Sequence, residues 1–181
     1  MLDTLITSKT RVKLLMKFFL NPRNHSYLRE LASEFGESTN GVRVELNRLM
    51  EVGLLSTKSS GRTIQYSANT NHALYGEIRS LVKKYMGVDQ IIDKLVKKLG
   101  HVQSAFIIGD YARGKDTGLI DIILIGKINK IELNNIAEKR GKEISKKIRP
   151  MVLTKIELRS LWKQLDMDNA LLIWGSPVEK N

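Results

Sequence analysis

Between Phe106 and Gly126 the chain reads FIIGDYARGKDTGLIDIILIG. An apolar, strand-like run stops at Gly109, a Tyr-Ala-Arg-Gly turn follows, and a second apolar run carries a single acid, Asp121. Few residue types here could do chemistry. They are the glycine with the backbone N–H groups that follow it, Asp110 beside it, Arg113 and Gly114 in the turn, and Asp121 on the second run. The rest of the chain adds no obvious metal ligands. Cysteine is absent, which removes disulfides and thiolate metal sites. His25, His72 and His101 are far apart and share no ligand spacing, so they are expected at the surface or as caps. No metal site and no cofactor is expected.

The stretch GDYARG…IDIILIG resembles the minimal nucleotidyltransferases of the polymerase-beta-like superfamily. Their pattern is an apolar strand, Gly-Ser, a Tyr-Ala-Arg-Gly-like turn, and Ser-Asp-x-Asp on the next strand. The resemblance implies that backbone N–H groups after the glycine cradle a triphosphate. It also implies that two aspartates, two apart on one strand face, hold the metal ions, with a third acid on a later strand. Gly109 matches the glycine, Arg113 and Gly114 match the turn, and Asp121 matches the second aspartate. Asp110 stands where serine is expected, Leu119 stands where the first aspartate is expected, and the later strand, RPMVL, has no acid. A site cut from three carboxylates to one loses most of its divalent affinity. An aspartate about 4 Å from the phosphates would repel them by about 4 kcal/mol at an effective dielectric of about 20. The expectation is an abandoned active site, with Asp121 paired to Arg113 or capping a turn.

The elements around this stretch read as strand His101–Asp110, strand Gly118–Gly126, helix Asn134–Ile148, strand 149–154, helix 155–165 and an apolar terminal run 170–175. The first hundred residues read differently. Ser8 caps a helix that runs to Leu20 and stops at Asn21-Pro22. That helix is apolar on two sides, which predicts that something beyond its own domain covers it. Ser26 caps a second helix ended by Gly36, and Ser38 caps a third ended by Gly53. In the third, Val42, Leu46, Leu49 and Met50 point inward, and Thr39, Asn40, Arg43 and Asn47 form the polar outer face. Two strand-like runs then flank Ser59-Ser60-Gly61-Arg62, a hairpin turn.

Helix, helix, helix, hairpin, helix over residues 8–86 resembles the winged helix-turn-helix domains of ArsR/MarR-like regulators, most closely in LNRLMEVGLLSTKSSGRTIQYSAN. The resemblance implies that the third helix enters the major groove of double-stranded DNA. Arg43 would reach guanine, Asn40 or Asn47 adenine, and Lys58 and Arg62 on the wing would sit near phosphates or the minor groove.

From Leu74 the apolar positions Leu74, Ile78, Leu81, Tyr85, Val88, Ile92, Leu95 and Leu99 step by 4, 3, 4, 3, 4, 3, 4. This is a heptad seam, with Gly87 placed to divide it. It predicts a homodimer interface or packing on the chain's own core. The expected organisation is a winged helix over 1–71, a helical connector over 72–100 and a nucleotidyltransferase-like domain over 101–181, in the α+β class.

The net charge of +11 favours a polyanionic partner. No apolar run reaches the ~18 residues of a membrane span, and the first residues do not read as a secretory signal, so a cytoplasmic protein is expected. These readings combine into a dimeric DNA-binding transcriptional regulator whose C-terminal domain lacks catalysis and serves assembly or the sensing of a small-molecule effector. Two alternatives stand beside it: an active metal-dependent nucleotidyltransferase guided by the winged domain, and an antitoxin-type protein-binding module.

Overall fold

Ser8 closes the first helix, α1 (Lys9–Phe19), by accepting the Arg11 N–H on its side chain. The computed structural model describes residues 6–94, 99 and 101–180. Over these residues the protein is α+β, with two separate sheets, and it divides into two compact units, Met1–Tyr85 and Met86–Asn181.

In the first unit α1 is followed by β1 (His25–Tyr27), α2 (Leu28–Phe35), α3 (Thr39–Glu51), the hairpin β2 (Leu55–Ser60) and β3 (Thr63–Ala68), and α4 (Tyr75–Tyr85). The sheet order is β1-β3-β2, antiparallel throughout. Helix α1 is the hub. Leu14, Phe18, Phe19 and Leu20 are fully buried, and the helix lies against α3, α4 and β3. Its two apolar sides are therefore buried in this chain, which corrects the expectation of an outside cover.

Ser26 does not cap α2. It sits in β1 opposite Tyr66, and the chain enters the helix after Tyr27. Glu30 reaches back instead, accepting from the Tyr27 N–H at 3.1 Å and the Ser26 hydroxyl at 2.9 Å. Gly36 closes α2 at φ +66°, a left-handed conformation that glycine takes without a side-chain clash.

The second unit opens with α5 (Val88–Lys94). It continues through β4 (His101–Ile108), the single turn α6 (Gly109–Ala112), β5 (Leu119–Lys127), α7 (Lys130–Glu143), β6 (Lys147–Leu153), α8 (Lys155–Ser160) and β7 (Leu171–Gly175). The sheet order is β6-β5-β4-β7, with only β5 and β6 parallel. Helix α7 makes that crossover. It spans Lys130–Glu143 rather than Asn134–Ile148, because Asn129 caps it, accepting from the Ile131 and Glu132 N–H groups. Ile120, Ile122, Ile123 and Leu124 are buried along β5, and Phe106, Ile125, Leu158 and Met167 pack on one face of the sheet. The helix expected over 155–165 is α8 alone, after which the chain runs through turns.

The heptad positions do not form one helix. Gly87, at φ +76°, separates α4 from α5. Leu74, Ile78, Leu81 and Tyr85 belong to the first unit, and Val88, Ile92 and Leu99 to the second; Leu95 lies outside the described residues. Val88 and Leu99 are buried, whereas Leu74 and Leu81 are 56% and 37% exposed.

Candidate functional site

Helix α3 is built from its buried side outward. Ser38 accepts the Gly41 N–H at 3.1 Å and starts the helix. Val42, Leu46 and Leu49 seat it in the core, while Met50, expected inward, is 37% exposed. Glu45 is buried beside these residues. Its two carboxylate oxygens accept from Arg11 on α1 and from Arg48, each at 2.8 Å. Burial opposes its charged form, but the hydrogen bond from Arg11 and the two nearby guanidinium groups outweigh that and hold its pKa below the usual carboxylate value. This pair of ion pairs ties α3 to α1, and residue spacing within α3 gave no sign of it.

Thr39, Asn40, Arg43 and Asn47 are all exposed on α3, at the three- and four-residue spacing that shares a helix face. The hairpin that follows turns at Gly61 and Arg62, with Gly61 at φ +60° and Ser60 paired to Thr63. Arg62 and Lys58 are exposed there. The six residues assigned to DNA therefore all lie at the surface of one unit. They offer guanidinium, ammonium, amide and hydroxyl groups, and Glu51, exposed one turn after Asn47, is the acid at the far end of the helix.

In the second unit, Gly109 ends β4 at φ +68°, and Asp110 follows, exposed, in the first turn of α6. The Asp110 backbone carbonyl accepts from Arg113 and Lys115, which folds the turn back on itself, and Gly114 is buried at its end. Tyr111 is buried, and its hydroxyl donates to the Met86 carbonyl. Burial and the nearby Asp116 push its pKa far up, so it stays neutral.

Asp121 faces this turn from β5, since a Cβ built on Gly109 would lie 3.6 Å from its Oδ2. It does not pair with Arg113. Arg149, beside it on the parallel strand β6, donates Nε to Oδ1 at 2.6 Å and Nη2 to Oδ2 at 2.8 Å. The pairing raises the pKa of Arg149, mainly through these hydrogen bonds. Arg113 pairs instead with Asp166 at 2.5 Å. Both oxygens of Asp121 are thus engaged by a planar guanidinium, the geometry that neutralises a carboxylate most completely. Leu119, two residues earlier on the same strand face, adds no ligand atom. Among the described residues no group of three or more His, Cys, Asp or Glu could hold a metal ion.

No protein-family model matches the chain, and no curated protein matches it. Solved structures share parts of the fold at low similarity. Reduced HlyU from Vibrio cholerae is 20% identical, with a TM-score of 0.37 over 46% of this chain and 83% of that one. A toxin–antitoxin MntA–HpeT mutant is 17% identical, with a TM-score of 0.39 over 49% of this chain and 72% of that one. The tri-AMPylated Shewanella oneidensis HEPN toxin in complex with MNT antitoxin is 15% identical, with a TM-score of 0.39 over 51% and 73%. No helix among the described residues is long and apolar enough to cross a membrane.

Proposed function

We propose that this protein is a DNA-binding transcriptional regulator. Its first unit is a winged helix-turn-helix of the ArsR/MarR kind, with α3 as the recognition helix and β2–β3 as the wing. The second unit is a nucleotidyltransferase-like domain without catalysis, kept for assembly or for sensing an effector. The observation that carries the reading is the polar outer face of α3 from Thr39 to Asn47, whose helix exposes an acid, Glu51, only in its last turn. Thr39, Asn40, Arg43 and Asn47 are exposed along that face, shortly before a hairpin that exposes Lys58 on its first strand and Arg62 at its turn. Among the described residues no side-chain hydrogen bond or ion pair engages these four, and their donors and acceptors suit base edges. The guanidinium lock on Asp121 supports the absence of catalysis, because a metal ion would have to displace Arg149 from both oxygens.

The protein reads DNA as a dimer on this reading, joined through α4. Leu74, Ile78, Leu81 and Tyr85 line one stripe of that helix, and Glu77 and Lys84 flank it. Two antiparallel copies would set Ile78 against Leu81 and Leu74 against Tyr85, with Glu77 of each copy beside Lys84 of the other.

The test is selection of bound sequences from a random duplex pool with purified protein, followed by affinity measurement on the selected site. Arg43→Ala should weaken that site by about 1–3 kcal/mol and relax base preference at one position. If the protein selects no sequence, or Arg43→Ala leaves the preference intact, the groove assignment is wrong.

A further inference from the structure

The pentapeptide Asn129-Lys130-Ile131-Glu132-Leu133 recurs as Thr154-Lys155-Ile156-Glu157-Leu158. Each copy starts the helix that follows one of the two parallel strands, α7 after β5 and α8 after β6. The first residue caps its helix in both copies, with the Asn129 side chain taking the Ile131 and Glu132 N–H groups and the Thr154 hydroxyl taking the Glu157 N–H. Both leucines are buried, at 2% and 0% exposure. Capping and core packing therefore account for the first and last positions. They do not account for the lysine and isoleucine between them. Ile131 and Ile156 are 75% and 79% exposed, the two most exposed large apolar side chains among the described residues.

The two corners are neighbours because their strands are. Between them lies a cleft of about 480 Å³ at the C-terminal ends of β5 and β6. Its floor is apolar, with Ile125, Val152 and Leu153, and its rim carries Lys127, Lys130 and Lys155. Glu157, also on the rim, spends its carboxylate on the Thr154 N–H and hydroxyl, at 2.7 and 2.8 Å. None of the three lysines has an ion pair within 4 Å among the described residues, although Lys130 lies near enough to Glu157 to favour its charged form. The cap side chains already occupy N–H groups at the start of both helices, so recognition falls to side chains.

We propose that this cleft docks an acidic segment of a partner protein that carries aliphatic side chains. The three rim lysines outnumber the single rim acid and call for carboxylates, the apolar floor takes an aliphatic side chain, and Ile131 and Ile156, each next in sequence to a rim lysine, offer further exposed apolar surface. A bilayer surface would meet the lysines and isoleucines but could not fill a concave floor. The site lies at the opposite end of β5 from Leu119 and Asp121, so it is separate from the remnant phosphate turn.

The probe is a fluorescent dodecapeptide of alternating glutamate and leucine pairs, titrated into the full chain. A lysine-for-glutamate version of the peptide and vesicles of phosphatidylglycerol with phosphatidylcholine are run in parallel. The acidic peptide should bind and shift the methyl resonances of Ile131 and Ile156, and the basic peptide should not. Lys130→Glu with Lys155→Glu should weaken binding at least tenfold, and Ile131→Ser with Ile156→Ser several-fold. All four positions are on the surface, and unchanged thermal unfolding would verify that the variants fold. Equal binding of the acidic peptide by the charge-reversed variant would overturn the proposal. So would tight binding to vesicles with none to the peptide, or no binding to either.

Discussion

Arg62 at the tip of the hairpin allows the DNA reading to be tested by number as well as by presence. Arg62 and Lys58 are exposed there, and if each neutralises one phosphate the wing contributes two contacts per protomer. Each contact adds about −0.9 to the slope of log affinity against log salt, so the wings of a dimer contribute about −3.6. Between 50 and 200 mM salt that slope alone lowers affinity by about 150-fold. Arg62→Ala in both protomers should flatten the slope by about 1.8, leaving the remaining wing contacts to lower affinity only about 12-fold over the same range. The assay is fluorescence anisotropy of a labelled duplex at five or six salt concentrations, on the selected site and on an unrelated sequence. The slope change should match on both duplexes, because phosphate contacts carry no sequence information. A change of about 0.9 would mean that one wing engages, and hence a monomer on DNA. An unchanged slope would refute the placement of the wing on phosphates, whatever the affinity did.

Three further outcomes are expected. Glu77→Lys should weaken self-association in sedimentation by placing like charges beside Lys84 of the second copy, and adding Lys84→Glu should restore it; a wild-type monomer at micromolar concentration would refute the α4 interface. With labelled nucleoside triphosphates and Mg²⁺ or Mn²⁺ the wild type should transfer no nucleotide and bind ATP weakly in calorimetry; robust transfer abolished by Asp121→Ala would instead establish an active enzyme. The first unit should lose stability in acid. Burial opposes the charged forms of Glu37 and Glu45, but hydrogen bonds from Thr10 and Lys13, and from Arg11, leave both folded-state pKa values below the ordinary 4.5. A depressed folded pKa stabilises above the unfolded value and is lost as pH falls through the folded one, so unfolding temperature should drop below about pH 4.5. Glu37→Gln with Glu45→Gln should flatten that drop, and an unaltered pH profile would count against these ion pairs.

What was legible in the sequence was local. Ser8, Ser38, Gly36 and Gly53 mark helix ends through bonds or backbone angles set within a few residues, and each stands where its type implied. Two of the errors are non-local. Ser26 has the residue type of a cap, but pairing with Tyr66, forty residues on, pulls it into a strand. Arg113 was the turn residue expected to meet Asp121, whereas the parallel register of β5 and β6 delivers Arg149, 28 residues away. Helix α7 buries only Leu133, Ala137 and Gly141, too thin an apolar stripe for its start to be read without recognising Asn129 as a cap.

The two candidate surfaces and the remnant turn differ in how much of their chemistry the fold consumes. At the glycine turn three charges are spent inside the chain: Asp121 on Arg149, Arg113 on Asp166, Asp116 on Lys146. A ligand there would have to break an ion pair before making one, and Asp110 would oppose an incoming phosphate. On α3 the division runs the other way. Ser38, Val42, Glu45, Leu46 and Leu49 build the helix and seat it, and Thr39, Asn40, Arg43 and Asn47 make no side-chain hydrogen bond or ion pair among the described residues. Ile131, Lys155 and Ile156 at the starts of α7 and α8 are left over in the same way among the described residues, with Lys130 near Glu157 but outside ion-pair distance. Side chains that cost conformational entropy to fix in a contact, yet make none in the chain, are free to make one with a partner. On the proposed reading, that contrast favours binding at α3, the wing and the corner cleft over binding at the glycine turn.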